Sequence, residues 1–180
     1  MPEADELDEG DVAELVRKIE AGEDGIAVPG AMLDEEQPAT PEARSLYAQI
    51  MTMAIAQKIK LALRGNQDAR VILVRDSNKL IRRFVLMNPR IGENEIVAIV
   101  RNKSADDELI RMVTERRDWM RLYQVRLGLA TNPKAQLPVA LRMLGTLEER
   151  DIRQIAKSKN VPQAVAAHAR RILFTKHAPK

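Results

Sequence analysis

Three stretches of this chain repeat one another at a fixed stride of 44 residues. Ile81-Arg82 through Asn88-Pro89 returns as Val125-Arg126 through Asn132-Pro133, and a third, worn copy begins at Ala169-Arg170. Apolar positions keep the same step, with Val85, Leu129 and Leu173 in register. A period of this size marks supersecondary units that bury their apolar faces against their neighbours, so it predicts a helical repeat array.

The local pattern is helical throughout. Thr40-Pro41-Glu42 combines an N-cap, a proline at the first helical position and an acid in the first turn. With no breaker before Gly65, it predicts one helix over 41–64, acting as the N-terminal cap of the array. Its apolar positions, Leu46, Ile50, Met53, Ile55, Ile59, Leu61 and Leu63, cover more than one face. Shorter helices are predicted over about 67–75, 78–87, 92–101, 105–116, 118–131, 135–144, 147–158 and 161–175. Proline removes a donor and disfavours helix at the residue before it, so Asn88-Pro89 and Asn132-Pro133 end two of them. Thr146-x-x-Glu149 and Ser104-x-x-Asp107 read as capping boxes. β-branched alternation is absent, and no sheet is expected. Met51, Met53 and Met87 read as core.

The stretches Asp76-x-x-x-x-Ile81-Arg82 and Val125-Arg126-x-x-Leu129-Ala130-x-Asn132-Pro133 resemble the signatures of HEAT-like and leucine-rich-repeat-variant arrays, and the stride is closer to HEAT or armadillo units. The resemblance covers about residues 66–175. It implies an all-α fold, a short α-solenoid, in which the ladder Arg82, Arg126, Arg170 holds carbonyls or an aspartate of a neighbouring unit. The chain departs from the pattern in two places. Lys176-His177 stand where the third Asn-Pro would be, and Asp118 precedes Arg126 by eight residues where Asp76 precedes Arg82 by six.

Charge divides the chain. Residues 1–45 carry 14 Asp/Glu against three Lys/Arg, while residues 46–180 carry 12 against 26. Residues 1–39, poor in large apolar groups, are expected to form a mostly disordered acidic tail ahead of a helical domain over 40–176, with 177–180 a flexible end. Inside the tail, Val12, Leu15, Val16 and Ile19 form an apolar stripe on a short helix over 11–21, capped by Asp11 and ended by Gly22. A helix this short needs something to dock on.

Chemistry is sparse. The chain has no cysteine and only two histidines, His168 and His177, which excludes thiolate sites and histidine-rich metal centres. Phosphate-cradling glycine loops and HExxH are absent, and no nucleophile–base pair can be named. No cofactor and no enzymatic activity are expected. The N-terminus lacks the pattern of a signal peptide, the apolar runs are too short to span a bilayer, and a cytoplasmic location is expected. The acid clusters Asp106-Asp107-Glu108 and Glu148-Glu149 suit helix starts.

Two functional readings remain. Arg111, Arg116, Arg117 and Arg121 crowd around Trp119 and Tyr123, and Lys157, Lys159 and Arg171 add a second basic stretch. The favoured reading is a protein-interaction module, a scaffold or adaptor, whose basic surface takes an acidic partner segment, with the tail helix as a further contact. The alternative is nucleic-acid binding, in which the same cations neutralise phosphates and the aromatics stack on bases. If Arg111, Arg116, Arg117, Arg121, Lys157 and Lys159 share one strip, the alternative gains. If they scatter, the interaction module holds.

Overall fold

The computed structural model describes residues 7–34 and 43–177. Among the described residues there are twelve α-helices, one short 3-10 turn and no strand. Of these helices, none is long and apolar enough to cross a membrane. The chain divides into two compact units, one reaching to Ile91 and one beginning at Gly92. The first holds α1 (Glu9–Ala21), α2 (Ala43–Thr52), α3 (Ile55–Arg64), α4 (Gln67–Leu73) and α5 (Lys79–Met87). The second holds α6 (Glu93–Arg101), α7 (Asp107–Glu115), α8 (Arg117–Arg121), α9 (Tyr123–Thr131), α10 (Leu137–Leu144), α11 (Glu149–Lys157) and α12 (Gln163–His177).

The first unit is built around α3. Ile59, Leu61, Ala62 and Leu63 are all buried, and three consecutive buried positions place neighbours around most of the helix. α5 packs on it through Ile81, Phe84 and Val85, and α4 closes the triplet with Ala69 and Leu73. The loop between α4 and α5 turns on Asp76, whose carboxylate pairs with Lys58 at 3.1 Å and accepts the Asn78 N–H at 2.8 Å.

The acidic N-terminal segment is part of this unit, which corrects the expectation of a mostly disordered tail for residues 7–34. α1 opens at Asp8, not at Asp11: the Asp8 carboxylate accepts the Asp11 N–H at 2.8 Å. It ends, as expected, at Gly22, in the left-handed region with φ 76°. Val12 and Ile19 are buried and Leu15 and Val16 partly so, all packed in the same core as α3. The docking partner is therefore the chain itself. Arg64 at the end of α3 donates to the Ile19 and Glu20 carbonyls, supplying partners for the last turn of α1. The rest of the expected tail, and Thr40-Pro41-Glu42, lie outside the described residues.

In the second unit α6 packs on α9, α9 on α10, and α10 and α11 on α12. The close approach of α6 and α9 is made at Gly128. A Cβ there would sit 2.5 Å from Val100 Cγ2 and 3.2 Å from its Cβ. Valine is stiff at χ1 and Val100 is fully buried, so it has little room to yield. Gly128→Ala is expected to destabilise by about 1–3 kcal/mol, despite a helix-propensity gain of about 1 kcal/mol. Val100→Ala in the same chain should recover part of that loss in urea melts, the signature of two residues competing for one space.

Two helices keep the spacing of the repeat. α5 and α9 begin and end 44 residues apart, and each ends on a buried asparagine, Asn88 or Asn132. Asn88 Nδ2 donates to the Ala62 and Gly65 carbonyls at 3.0 and 3.2 Å, at the end of α3. Asn132 Nδ2 donates to the Val100 and Asn102 carbonyls at 2.6 and 3.1 Å, at the end of α6. One device thus ties the end of α5 to that of α3 and the end of α9 to that of α6.

Several local expectations fail. The helix expected over 41–64 is broken between Thr52 and Ile55, so no single long helix caps the core. The helix expected over 118–131 is interrupted at Leu122. Neither capping box forms: α11 starts from Glu148 while the Thr146 hydroxyl donates to the Met143 carbonyl, and α7 is capped by Asp106. Met51 and Met87 are exposed and so are not core, whereas Met53 is half-buried and packs against the core of the first unit.

Candidate binding groove

The second unit contains a groove of about 600 Å³ lined by α9 and α11. Leu127, Gly128, Ile155 and Val161 give it an apolar floor, Gln154 and Thr131 add polar edges, and Arg101 joins from the end of α6. The two helices run the same way along it. Tyr123 and Asp151 meet at their N-terminal ends, and Thr131 and Lys157 line the opening at their C-terminal ends. From Asp151 to Ser158 the lining rises about 10 Å at 1.5 Å per residue, which matches about three residues of extended chain.

Its two ends carry different groups. At the N-terminal ends of α9 and α11 the Tyr123 hydroxyl donates to Asp151 and accepts the Glu148 N–H at 3.1 Å, and the buried Asp151 also lies 3.9 Å from Arg150 Nε. The Arg126 guanidinium lies 5.6 Å from the Tyr123 ring centroid. Its Nε is buried without a hydrogen-bond partner among the described residues. At the C-terminal end stand two exposed cations, Arg101 and Lys157. Arg101 donates to Gln124 at 2.5 Å, and Lys157 is without a partner among the described residues.

Burial of the phenol, followed by its bond to Asp151, raises the Tyr123 pKa above the ordinary tyrosine range. A raised folded-state value stabilises below the unfolded pKa and is lost as pH climbs through the folded value. Tyr123→Phe, which removes the phenol that donates to the buried Asp151, is expected to cost about 1–2 kcal/mol at neutral pH. The gap to the parent should then narrow above about pH 10, where the parent alone loses its phenol proton. Paired denaturant melts at neutral and alkaline pH read this difference.

The sequence-predicted cations do not form one strip. Arg111, Arg116, Arg117 and Arg121 are all exposed on or beside α7 and α8, towards the start of α9. Arg116 lies 4.5 Å over the half-buried Trp119 ring, Arg121 pairs loosely with Asp118 at 3.9 Å, and α8 buries no residue. Lys157 and Lys159 follow the far end of α11, separated from that cluster by the length of α9 and α11. Arg171 lies exposed on α12 with its NH2 2.8 Å from His168 Nδ1. The arginine ladder divides too. Arg82 donates to the Asp76 and Ser77 carbonyls and Arg170 to that of Ala156, whereas Arg126 stacks on Tyr123.

The sequence reading missed Arg101. It ends α6 as Arg64 ends α3, but the two are 37 residues apart, and the stride of 44 hides the correspondence. No family model matches the chain, and neither a curated protein nor a solved structure matches it significantly.

Proposed function

We propose that the chain is a non-catalytic protein-interaction module, a short α-solenoid of HEAT- or armadillo-like units whose groove along α9 and α11 takes an acidic segment of another protein. The observation that carries this reading is a pair of exposed cations, Arg101 and Lys157, beside an apolar floor. A peptide lying in the groove places its carboxylates at those two cations, since Asp151 at the other end is buried, bonded to Tyr123 and 3.9 Å from Arg150 Nε. The scatter of the basic side chains over separate parts of the second unit favours this over a continuous phosphate-tracking strip. The repeated asparagine closure, of α5 on α3 and of α9 on α6, supports the repeat architecture.

The test is fluorescence anisotropy with short labelled peptides differing in carboxylate number, beside polyuridylate and duplex DNA. Affinity should rise with carboxylate number, fall with added salt, and disappear in the double reversal Arg101→Glu, Lys157→Glu. Binding of nucleic acid alone, lost when Arg116, Arg117 and Arg121 are replaced by alanine, would assign the surface to phosphate instead. No peptide binding at low salt refutes the groove.

A further inference from the structure

We infer that the face of α3 beneath residues 23–34 is a second recognition site, a seat for an extended acidic segment filled in cis by this chain and open in trans to a partner segment of the same chemistry. The site lies in the first unit and does not depend on the groove of the second.

The seat grips its occupant as an extended peptide. Residues 23–29 are neither helix nor strand, and their exposure alternates: Asp24, Ile26 and Val28 are half-buried, while Glu23, Gly25, Ala27 and Pro29 face solvent. Donors from the body meet this segment along its length. Gln57 Nε2 reaches the Ala27 carbonyl at 2.9 Å, Lys60 Nζ that of Ile26 at 2.7 Å, and Arg90 NH1 that of Leu33 at 3.0 Å. Asn66 donates to three more carbonyls, those of Ala31, Asp34 and Met32. One further bond reads a side chain: Lys60 holds the Asp24 carboxylate at 2.6 Å. Main-chain bonds with side chains read at alternate positions are how an extended peptide is recognised in general, and they tolerate changes in sequence. The pattern that fits is a carboxylate followed at the second and fourth positions by apolar groups.

The occupant does not fill the site. An opening of about 460 Å³ remains between the segment and the body, lined by Lys60, Arg64 and Arg90 as well as Asp24 and Leu33. A cationic wall with room to spare suits an anionic segment bulkier than the one in place. Val12 and Ile19 anchor α1 and Met32, 1% exposed, anchors the far end, so residues 23–29, none of them fully buried, can leave while both anchors stay docked. The cis segment holds a local concentration in the millimolar range, which shields the seat until a partner competes.

The probe is a labelled peptide copying residues 21–34, added to the full chain and to its Asp24→Asn, Ile26→Ser variant, with circular dichroism confirming the fold. The variant should bind the peptide at least about tenfold more tightly than the parent, because its own segment competes less well. Adding Lys60→Glu should abolish that binding. Hydrogen exchange on the unaltered chain gives an independent reading. The bonded amide of Ile26 should exchange well before those of α3. A folded variant that ignores the peptide, or protection of the Ile26 amide equal to that of α3, makes the segment a permanent part of the core and overturns the inference.

Discussion

Asn132→Ala is expected to remove about 2–4 kcal/mol of stability, far more than the loss of one small polar side chain suggests. Asn132 is 2% exposed and makes three bonds. Its amide nitrogen donates to the Val100 and Asn102 carbonyls, and its Oδ1 accepts the Lys134 N–H at 2.8 Å. The last carbonyls of a helix have no partner inside it, and each buried polar group left without one costs about 1–3 kcal/mol. Asn132→Asp should be worse at neutral pH. It keeps the bond from Lys134 but sets a buried negative charge against two carbonyl oxygens. Burial and those oxygens raise the introduced carboxyl's pKa, so this variant should regain stability as pH falls and a proton restores one donor. Asn88 makes the matching set with Ala62, Gly65 and Arg90, and the same order of variants is expected there. Asn160→Ala, at an exposed loop position, is the control and should stay within about 0.5 kcal/mol of the parent. Urea denaturation followed by circular dichroism measures the five variants against the parent.

Those asparagines show how far the sequence could be read. The stride placed α5 and the end of α9 correctly because it came from apolar positions and from Asn-Pro pairs, both local signals, while the break at Leu122 left no such signal. The pairs were read as proline breaks, though the asparagine does as much by reaching the end of another helix. What stayed hidden depends on partners distant in the chain. The break after Thr52 contains no glycine or proline. It is held by Gln57, which accepts the Ala54 N–H with its oxygen and donates to the Ala27 carbonyl with its nitrogen. The order of residues 7–34 likewise rests on Lys60, Arg64 and Asn66, some thirty or more positions away, so composition alone made the segment look unfolded. At the groove, Lys157 was named for its charge and Arg101 was not, since only the packing of α6 against α9 brings it to that wall.

Gly65→Ala separates two physical effects of opposite sign. Gly65 has φ −63° and ψ 157°, a backbone conformation open to any residue. If unfolded-state entropy alone mattered, alanine there would stabilise by about 0.4–1 kcal/mol. The surroundings forbid it. A Cβ would stand 2.2 Å from the Leu61 carbonyl oxygen and 3.0 Å from Ala69 Cβ, and the nearer of these is backbone that cannot rotate away. Moving residue 65 to relieve the clash would disturb a junction on which much of the first unit converges. Its N–H donates to Leu61 at 2.7 Å, and its carbonyl accepts from Arg70 at 2.9 Å and from Asn88 at 3.2 Å. The next residue, Asn66, ties the N-terminal segment to the body. A loss of about 3 kcal/mol or more is expected, at the upper end of the range for overpacking. Gly145 provides the contrast. It ends α10 with φ −65° and ψ −15°, is exposed, and a Cβ there would meet nothing nearer than the Arg142 carbonyl oxygen at 3.5 Å. Gly145→Ala should therefore raise the urea midpoint slightly while Gly65→Ala lowers it sharply. Equal shifts in the two variants would mean that the close approach at Gly65 does not constrain the end of α3.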